Sequence, residues 1–515
     1  MTAQTLTRST TAKPSTTNIN DAEKFLANFS STLDRVFHDR IDADLMESSR
    51  GIPSFVMRDV LAAEPVRAFI PSKFGGYGDT PIAGQAMLDL ASYHSMSLGL
   101  TLGINSALFV QPVAKYADEQ VAARVLNKIG SGAAMGGLMI TEPDFGTDAL
   151  GMRTSWHDEN GRYRIRGTKH WAGLTGCADY WLMMARPMND SGDLSQGVDM
   201  FICEQDDPQQ KIEVIEYYKS LGLYGIPYGK NKVDVSVPAD HRLQGGRGGL
   251  RMMLDTLHRS RVQFPAMSVG FVRRMVDEAI DHCHTRVAGG KRLVEHDQVR
   301  SRLARMQGQL TAISALGLYA AENAHLEHDL SRIGREANAI KSVCTDYMHD
   351  SAHSLLQLVG AKGYRQDHIA GRAIVDARPF QIFEGSNDVL YAQVGTKIVE
   401  TMRKKGTDNL GEYLRNDPAT ARAAEVMGAA LNVVVCDRPQ QRRLVEVGAV
   451  FARVFALEAV LELGSRGFAP DHIAAAIGML REDAGRWLND LRAQLAPDVA
   501  PDSIGYGAWM PYLKA

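Results

Sequence analysis

Met139-Ile140-Thr141-Glu142-Pro143-Asp144-Phe145-Gly146-Thr147-Asp148 stands just past the point where the hydrophobic period of this chain changes. On its N-terminal side, residues 21–125 follow a helical period. Phe25, Phe29, Leu33 and Phe37 recur every four residues and make one apolar face. Pro71 and the glycines at 75, 76 and 78 mark a loop, after which residues 86–111 are apolar enough for a buried helix. On its C-terminal side the pattern is that of short strands. Asn160-Gly161 is a hairpin signal between Trp156 and Tyr163. Residues 180–185 and 199–203 are short apolar runs, and Val233, Val235 and Val237 alternate with polar neighbours until Pro238. Glycines at 245, 246, 248 and 249 then form a hinge back to helix.

Beyond the hinge, Val299, Leu303, Met306, Leu310 and Ile313 form one stripe, and residues 272–284 and 337–358 also suit helices, which predicts a bundle. From about residue 405 a further helical segment begins. Leu444, Val447, Val450, Phe451, Val454, Leu457 and Leu461 line one face, and residues 473–491 form another helix. The tail 496–515, with Trp509 and Tyr512, is expected to pack on the bundle or on another subunit. The fold class is α+β, mainly α. Its expected parts are a disordered tail (1–20), an N-terminal α-helical domain (21–135), a β domain (136–245), a helical bundle (246–404) and a helical extension (405–515).

Composition narrows the function. The chain has 515 residues, a net charge of -3 and 45% hydrophobic residues, so nothing in its charge points to nucleic acid. No apolar run approaches the roughly 20 residues of a membrane span. The five cysteines are scattered without a CxxC pair, which indicates neither a zinc site nor a disulfide framework, and a reduced, cytoplasmic protein is expected. Residues 1–20 are rich in Ser and Thr, carry Arg8 and Lys13 and have no acid before residue 21. If that tail is a transit peptide, the location is the mitochondrial matrix. The pairs His282/His284 and His325/His328 have no convincing carboxylate or cysteine set, and no metal site is assigned.

One stretch has the makings of chemistry. Gln381-Ile382-Phe383-Glu384-Gly385-Ser386-Asn387-Asp388 lies between two helical patterns. Ser386 or Asn387 is placed to cap the following helix, and Gly385 lets the backbone turn and a ligand come close. The helix N-terminus favours an ionised Glu384, whereas burial near Phe383 opposes it. The balance suits a base working near neutral pH.

Several stretches together resemble the acyl-CoA dehydrogenase family. Residues 139–148 resemble the T-E-P-x-x-G-[ST]-D that opens its β domain, and Lys169-His170-Trp171 matches its K-x-W. Residues 291–298 resemble the start of its C-terminal bundle, and residues 356–364 its Q-x-x-G-x-x-G-[FY] segment. Phe383-Glu384-Gly385-Ser386 resembles its [YF]-E-G-[ST], and Ile70-Pro71 with residues 74–78 its N-terminal loop. The motifs fall in family order over residues 21–403.

The resemblance implies an acyl-CoA dehydrogenase-like fold: an α-helical domain, a central β-barrel and a C-terminal four-helix bundle, here with extra C-terminal helices. It implies FAD and the oxidation of an acyl thioester to the trans-2-enoyl thioester, with the α-proton going to Glu384 and the β-hydride to flavin N5. It implies that Ile140, Thr141, Gly146, Thr147, Trp171, Arg286, Gln357, Gly360, Ser386 and Asp388 hold the cofactor, Arg286 across a subunit interface. Thr147, Arg261, Phe383 and Gly385 fall on its substrate positions, and the Glu384 N–H polarises the thioester oxygen. A homodimer or homotetramer is implied, with an electron-transfer flavoprotein as electron acceptor.

Departures from the family pattern keep alternatives open. Gly173 stands where a hydroxyl residue faces flavin N5, with Thr175 as the nearest substitute. Gly289 stands where the family has Phe, Ala361 where it has Gly, Asp388 where Gln is common, and His258 where medium-chain members have an acid. Acyl-CoA and acyl carrier protein are both open as substrate carriers. A flavin monooxygenase or oxidase on the same scaffold is the alternative enzyme, and a flavin-free scaffold protein the third reading.

Overall fold

The computed structural model describes residues 16–146, 148–246 and 248–493. Helix α1 (Thr16–Asp34) already starts inside the stretch expected to be a disordered tail, so that expectation is corrected for residues 16–20, and residues 1–15 lie outside the described ones. Phe25, Phe29, Leu33 and Phe37 are all buried, as their spacing requires. Helices α2 (Pro81–His94) and α3 (Glu119–Gly130) complete the frame of the N-terminal part. Asp118 caps α3 by accepting from the N–H groups of Gln120 and Val121.

Between α2 and α3, three helical pieces run end to end: Met96–Gly103, a π-helical Ile104–Val110, and Gln111–Tyr116. The expectation that no run approaches a membrane span needs correcting here. Met96–Tyr116 is long and apolar enough by length and composition, with a mean hydropathy of 1.3. The fold buries 94% of its most apolar window inside the molecule, so it is a core helix. Its Asn105 Oδ1 accepts from the Gly136 N–H at 3.0 Å and so ties the helical part to the first strand.

The strands are β1 (Gly136–Met139), β2 (Ser155–Glu159), β3 (Arg162–His170), β4 (Tyr180–Pro187), β5 (Asp199–Glu204), β6 (Glu213–Tyr217) and β7 (Gly229–Pro238). They form one seven-stranded sheet in the order β1-β4-β2-β3-β7-β6, with β5 also on β4. The path has two ends, because β1 pairs only with β4 and β6 only with β7. The central β-barrel expected is thus a curled sheet that closes only part way, a half-barrel. The hairpin between β2 and β3 turns on Asn160 (φ 56°) and Gly161 (φ 80°), the left-handed pair that a two-residue turn needs. Val233, Val235 and Val237 point into the core from β7.

Helices α4 (Gly249–Thr285), α5 (Asp297–Asn323), α6 (Gly334–Val359) and α7 (Asn387–Lys405) form the bundle. Two long helices of the extension follow, α8 (Gln441–Ser465) and α9 (Pro470–Arg492). Helix α8 lies along α7, and α9 lies against α5 and α8, so the extension is laid onto the bundle. The tail 496–515 lies outside the described residues.

Candidate active site

Glu384 sits in the short connection that ends in α7. Its own φ is 58° and that of Gly385 is 89°, so two successive residues adopt the left-handed region. Only glycine takes that conformation without steric cost, and non-glycine residues adopt it where the surroundings impose it. Those surroundings are polar and buried. Arg261, on α4, donates from Nε to the Glu384 carbonyl at 3.0 Å and from Nη1 to Asn338 Oδ1 at 2.8 Å. Lys341, on α6, donates from Nζ to the Gly385 carbonyl at 2.8 Å and to Asn387 Oδ1 at 2.9 Å. Asn387 Nδ2 donates onward to Asp346 Oδ1 at 2.7 Å. On the apolar side, Phe383 packs on Phe380 and Phe264, with ring centroids 5.0 and 6.3 Å away.

The capping expectation is corrected by this arrangement. Ser386 is the N-cap residue of α7 by backbone conformation, but its side chain makes no cap bond. Asn387 is turned inward by Lys341 instead. Arg261, which falls on a substrate position of the family, is engaged from within the fold. It is 8% exposed, and its Nε and Nη1 are taken up by the Glu384 and Asn338 oxygens, because a buried guanidinium needs nearby acceptors.

Glu384 Oε2 is buried and has no hydrogen-bond partner among the described residues. Burial pushes its carboxyl above the usual glutamate value; the charges of Arg261 and Lys341 and the Ser260 hydroxyl pull the other way without cancelling it. Burial and the nearby Arg261 charge bring the Lys341 ammonium down to about 7. A buried carboxyl with a raised pKa and a free oxygen is a proton acceptor waiting for a donor.

A second group of residues gathers at the end of β3. Trp171 is 52% exposed, with φ 53°, and its ring lies 4.6 Å from that of Tyr218 and 6.0 Å from that of Tyr228. The Thr141 carbonyl accepts from the His170 N–H at 3.0 Å, and the Ile140 carbonyl from Lys169 Nζ at 3.0 Å, so residues 140–141 run beside Trp171. Glu142 folds the following loop back. It accepts from the Arg153 and Thr154 N–H groups at 2.6 and 2.9 Å and from Lys169 Nζ at 2.8 Å. Gly146 is exposed, and Thr147 lies outside the described residues.

Gly173 has a close neighbour. A Cβ there would lie 2.6 Å from Ile104 Cδ1, so a larger side chain at 173 would have to displace the tip of Ile104. Thr175 does not replace it. Its hydroxyl is buried, donating to the Ala172 carbonyl at 2.7 Å and accepting from Asn231 Nδ2 at 3.2 Å. Gly289 and Gly290, both left-handed, are the turn of a small hairpin between Val287–Ala288 and Lys291–Arg292. Arg286, just before it, is exposed and makes no ion pair among the described residues. Gln357 and Gly360 lie exposed at the C-terminal end of α6, and Asp388 is exposed in the first turn of α7. No hydrogen bond or ring contact joins the Trp171 group to the Glu384 group among the described residues. They meet indirectly, through Ile104 under Gly173 and through its helical segment packed on α4.

Comparison with known proteins fits this division. Three models described as the N-terminal, middle and C-terminal domains of acyl-CoA dehydrogenase match residues 23–133, 137–234 and 247–399. The chain belongs to the acyl-CoA dehydrogenase family. An acyl-CoA dehydrogenase of Bacillus subtilis is 25% identical over 67% of this chain and 90% of its own length. A probable acyl-CoA dehydrogenase of Mycobacterium tuberculosis is 26% identical over 80% of this chain, which spans only 64% of that longer relative. The crystal structure of a Bacillus anthracis acyl-CoA dehydrogenase complexed with FAD shares the fold, with a TM-score of 0.73, 16% identity and coverage of 92% of both chains. Coverage that wide takes in the helical extension, which the family models leave unmatched beyond residue 399.

Sequence reasoning missed Lys341 and Asp346, and it quoted Glu142 and Lys169 in their motifs without assigning them a role. One signal was present for Lys341. It is a single cation in the apolar run Ala339-Ile340-Lys341-Ser342-Val343-Cys344, where a charge needs a buried partner.

Proposed function

We propose that this protein oxidises an acyl-CoA to its trans-2-enoyl thioester with FAD as cofactor, and that Glu384 takes the α-proton. The observation that carries the reading is the buried, unpartnered Glu384 Oε2. FAD supplies the hydride acceptor. The exposed Trp171 ring, flanked by Tyr218 and Tyr228, fits a flat ring system, and the unpaired Arg286 fits a phosphate.

The chain's own residues do the rest. Arg261 and Lys341 engage the carbonyls of Glu384 and Gly385 and so fix the base loop. The Glu384 N–H has no acceptor among the described residues and is free to polarise a thioester oxygen, which acidifies the α-proton. The cluster of Phe264, Phe380 and Phe383 keeps the base dry. A raised carboxyl pKa makes Glu384 a stronger base once ionised. We further propose a homo-oligomer and an electron-transfer flavoprotein as electron acceptor.

The test is an anaerobic titration of the purified flavoprotein with acyl-CoAs of graded length. Bleaching of the flavin band is expected for one range of lengths. Glu384→Gln is expected to keep FAD and to lose reduction by about 10²- to 10⁴-fold, the usual contribution of a general base. Unchanged reduction in that variant removes Glu384 as the base. The missing hydroxyl at Gly173 favours a second reading, a flavin oxidase, which a flavin reduced by acyl-CoA and rapidly reoxidised by air would support.

A further inference from the structure

The base loop is held at both ends by one carboxylate. Asp346 Oδ1, on α6, accepts from Gln381 Nε2 at 2.9 Å and from Asn387 Nδ2 at 2.7 Å. Gln381 lies three residues before Glu384 and Asn387 three after it. The Asp346 carboxylate thus closes the connection into a clasp around the base. Its other oxygen, Oδ2, accepts from Tyr391 Oη at 2.7 Å and from Arg453 Nη2 at 2.7 Å. Arg453 Nη1 also donates to Tyr391 Oη.

Arg453 is the only one of these residues that comes from the extension. It sits in the middle of α8, is 5% exposed, and lies over the rings of Tyr391 and of Trp487 on α9, 5.1 and 5.7 Å from their centroids. Two helices outside the family match therefore bring one buried cation against a carboxylate that carries the catalytic loop. Burial alone would raise the Asp346 carboxyl; Arg453, Tyr391 and Gln381 reverse this and hold it below the usual aspartate value. An ionised carboxylate is a stronger acceptor for the two loop amides than a neutral acid, which would also have to place a proton.

We propose that Arg453 is a positioning residue for Glu384, and that the helical extension acts on catalysis through the relay Arg453–Asp346–Gln381/Asn387. The proposal rests on the reading of Glu384 as the base. Among the described residues Arg453 is the ion-pair partner of Asp346, and Asp346 is the acceptor for Gln381 Nε2; Asn387 Nδ2 is shared between Asp346, the Ser342 carbonyl and Thr345 Oγ1, so the Gln381 end of the loop depends most on the relay.

The experiment uses the FAD-loaded full chain and four variants: Arg453→Met, Arg453→Lys, Arg422→Met and Glu384→Gln. Arg422 pairs with Glu458 and Glu462 on the outer side of the extension and serves as a control for lost surface charge. Two quantities are read. One is amide hydrogen exchange of residues 381–388, with residues 229–238 of the sheet as reference. The other is the rate of flavin reduction by the acyl-CoA that bleaches the wild-type protein fastest, together with that acyl-CoA's dissociation constant.

Arg453→Met is expected to speed exchange in residues 381–388 by about ten-fold and to leave residues 229–238 unchanged. It is expected to slow reduction by about 10- to 100-fold, the scale of a small misplacement of a reacting group, with the dissociation constant within about two-fold. Arg453→Lys keeps the charge and is expected to recover most of the rate, and Arg422→Met to match wild type. Where Arg453→Met does not fold, the double variant Asp346→Asn/Arg453→Met leaves no buried charge unpaired and takes its place with the same expectations. Either readout at the wild-type level in a folded variant overturns the proposal, as does faster exchange spread evenly over the chain. Normal reduction in Glu384→Gln would instead overturn the reading of the base.

Discussion

Glu384 and Gly385 show what one residue can and cannot reveal. The acid, the adjoining glycine and the helix start were all legible in Gln381 to Asp388, because they depend on neighbours in sequence. The clamp was not legible, because Arg261, Lys341 and Asp346 come from other helices. At Gly385 the positive φ and a Cβ position 2.8 Å from Leu390 Cδ2 both exclude a side chain. Gly385→Ala is expected to lower stability by about 1–3 kcal/mol, the cost of a strained backbone conformation, measured as a lower thermal midpoint. Glu384 sets a pH dependence with a definite sign. Its folded pKa is raised, so the stability it contributes is present below the unfolded value and is lost as pH rises through the folded one. At pH 8, therefore, Glu384→Gln is expected to melt higher than wild type even as it loses activity. In the wild-type protein, flavin reduction is expected to speed up as pH rises through the same ionisation, since only the carboxylate accepts the proton.

At the scale of elements, the loop between β1 and β2 owes its shape to an ion pair. Glu142 and Lys169 are both buried, and Glu142 also takes two backbone N–H groups of residues 153 and 154. Burial raises the Glu142 carboxyl, but Lys169 and these bonds outweigh it and leave the group below its usual value; burial brings Lys169 down to about 8. The pair is thus ionised at neutral pH. Glu142→Gln leaves a buried ammonium facing a weaker acceptor and is expected to cost about 3–5 kcal/mol, the range for breaking a buried pair from one side, measured by denaturant unfolding. The sequence marked this loop as cofactor-facing but not why a glutamate stands there, because its partner lies at the far end of the next hairpin. Gly173 has the same history. The departure was visible, and its close neighbour Ile104 became visible only when the π-helical segment was seen beneath it. The β2–β3 hairpin, by contrast, was legible in full, since Asn160-Gly161 carries its turn geometry locally.

For the molecule as a whole, the division into helices, sheet, bundle and extension followed from changes of hydrophobic period. The open edge of the sheet and the way the extension lies on α7 did not, because both are matters of long-range pairing. One joint between the parts carries its own pH signature. Asp376, just before the base loop, accepts from the Leu223 N–H of the sheet part at 2.6 Å. Burial, and then the neighbouring Glu47 carboxyl, push the Asp376 carboxyl up to about 7. Its contribution to stability is therefore complete below about pH 3.8 and is lost as pH rises towards 7. Each unit of that shift is worth about 1.4 kcal/mol. Asp376→Asn is expected to flatten the fall in thermal midpoint between pH 5 and 8, measured by calorimetry.

The buried segment Met96–Tyr116 also bears on how the chain is made. Its covering partners include α4, which ends at Thr285, so the segment emerges from the ribosome long before its cover does. At roughly 5–20 residues per second, the nascent chain carries this apolar stretch with only its N-terminal and early-strand neighbours in place, and without α4, for on the order of ten seconds. In that interval it presents to chaperones and to the membrane-targeting machinery the same apolar surface that the finished molecule hides. The shielding of this core helix is thus completed in stages, first by α2, made before it, and last by α4.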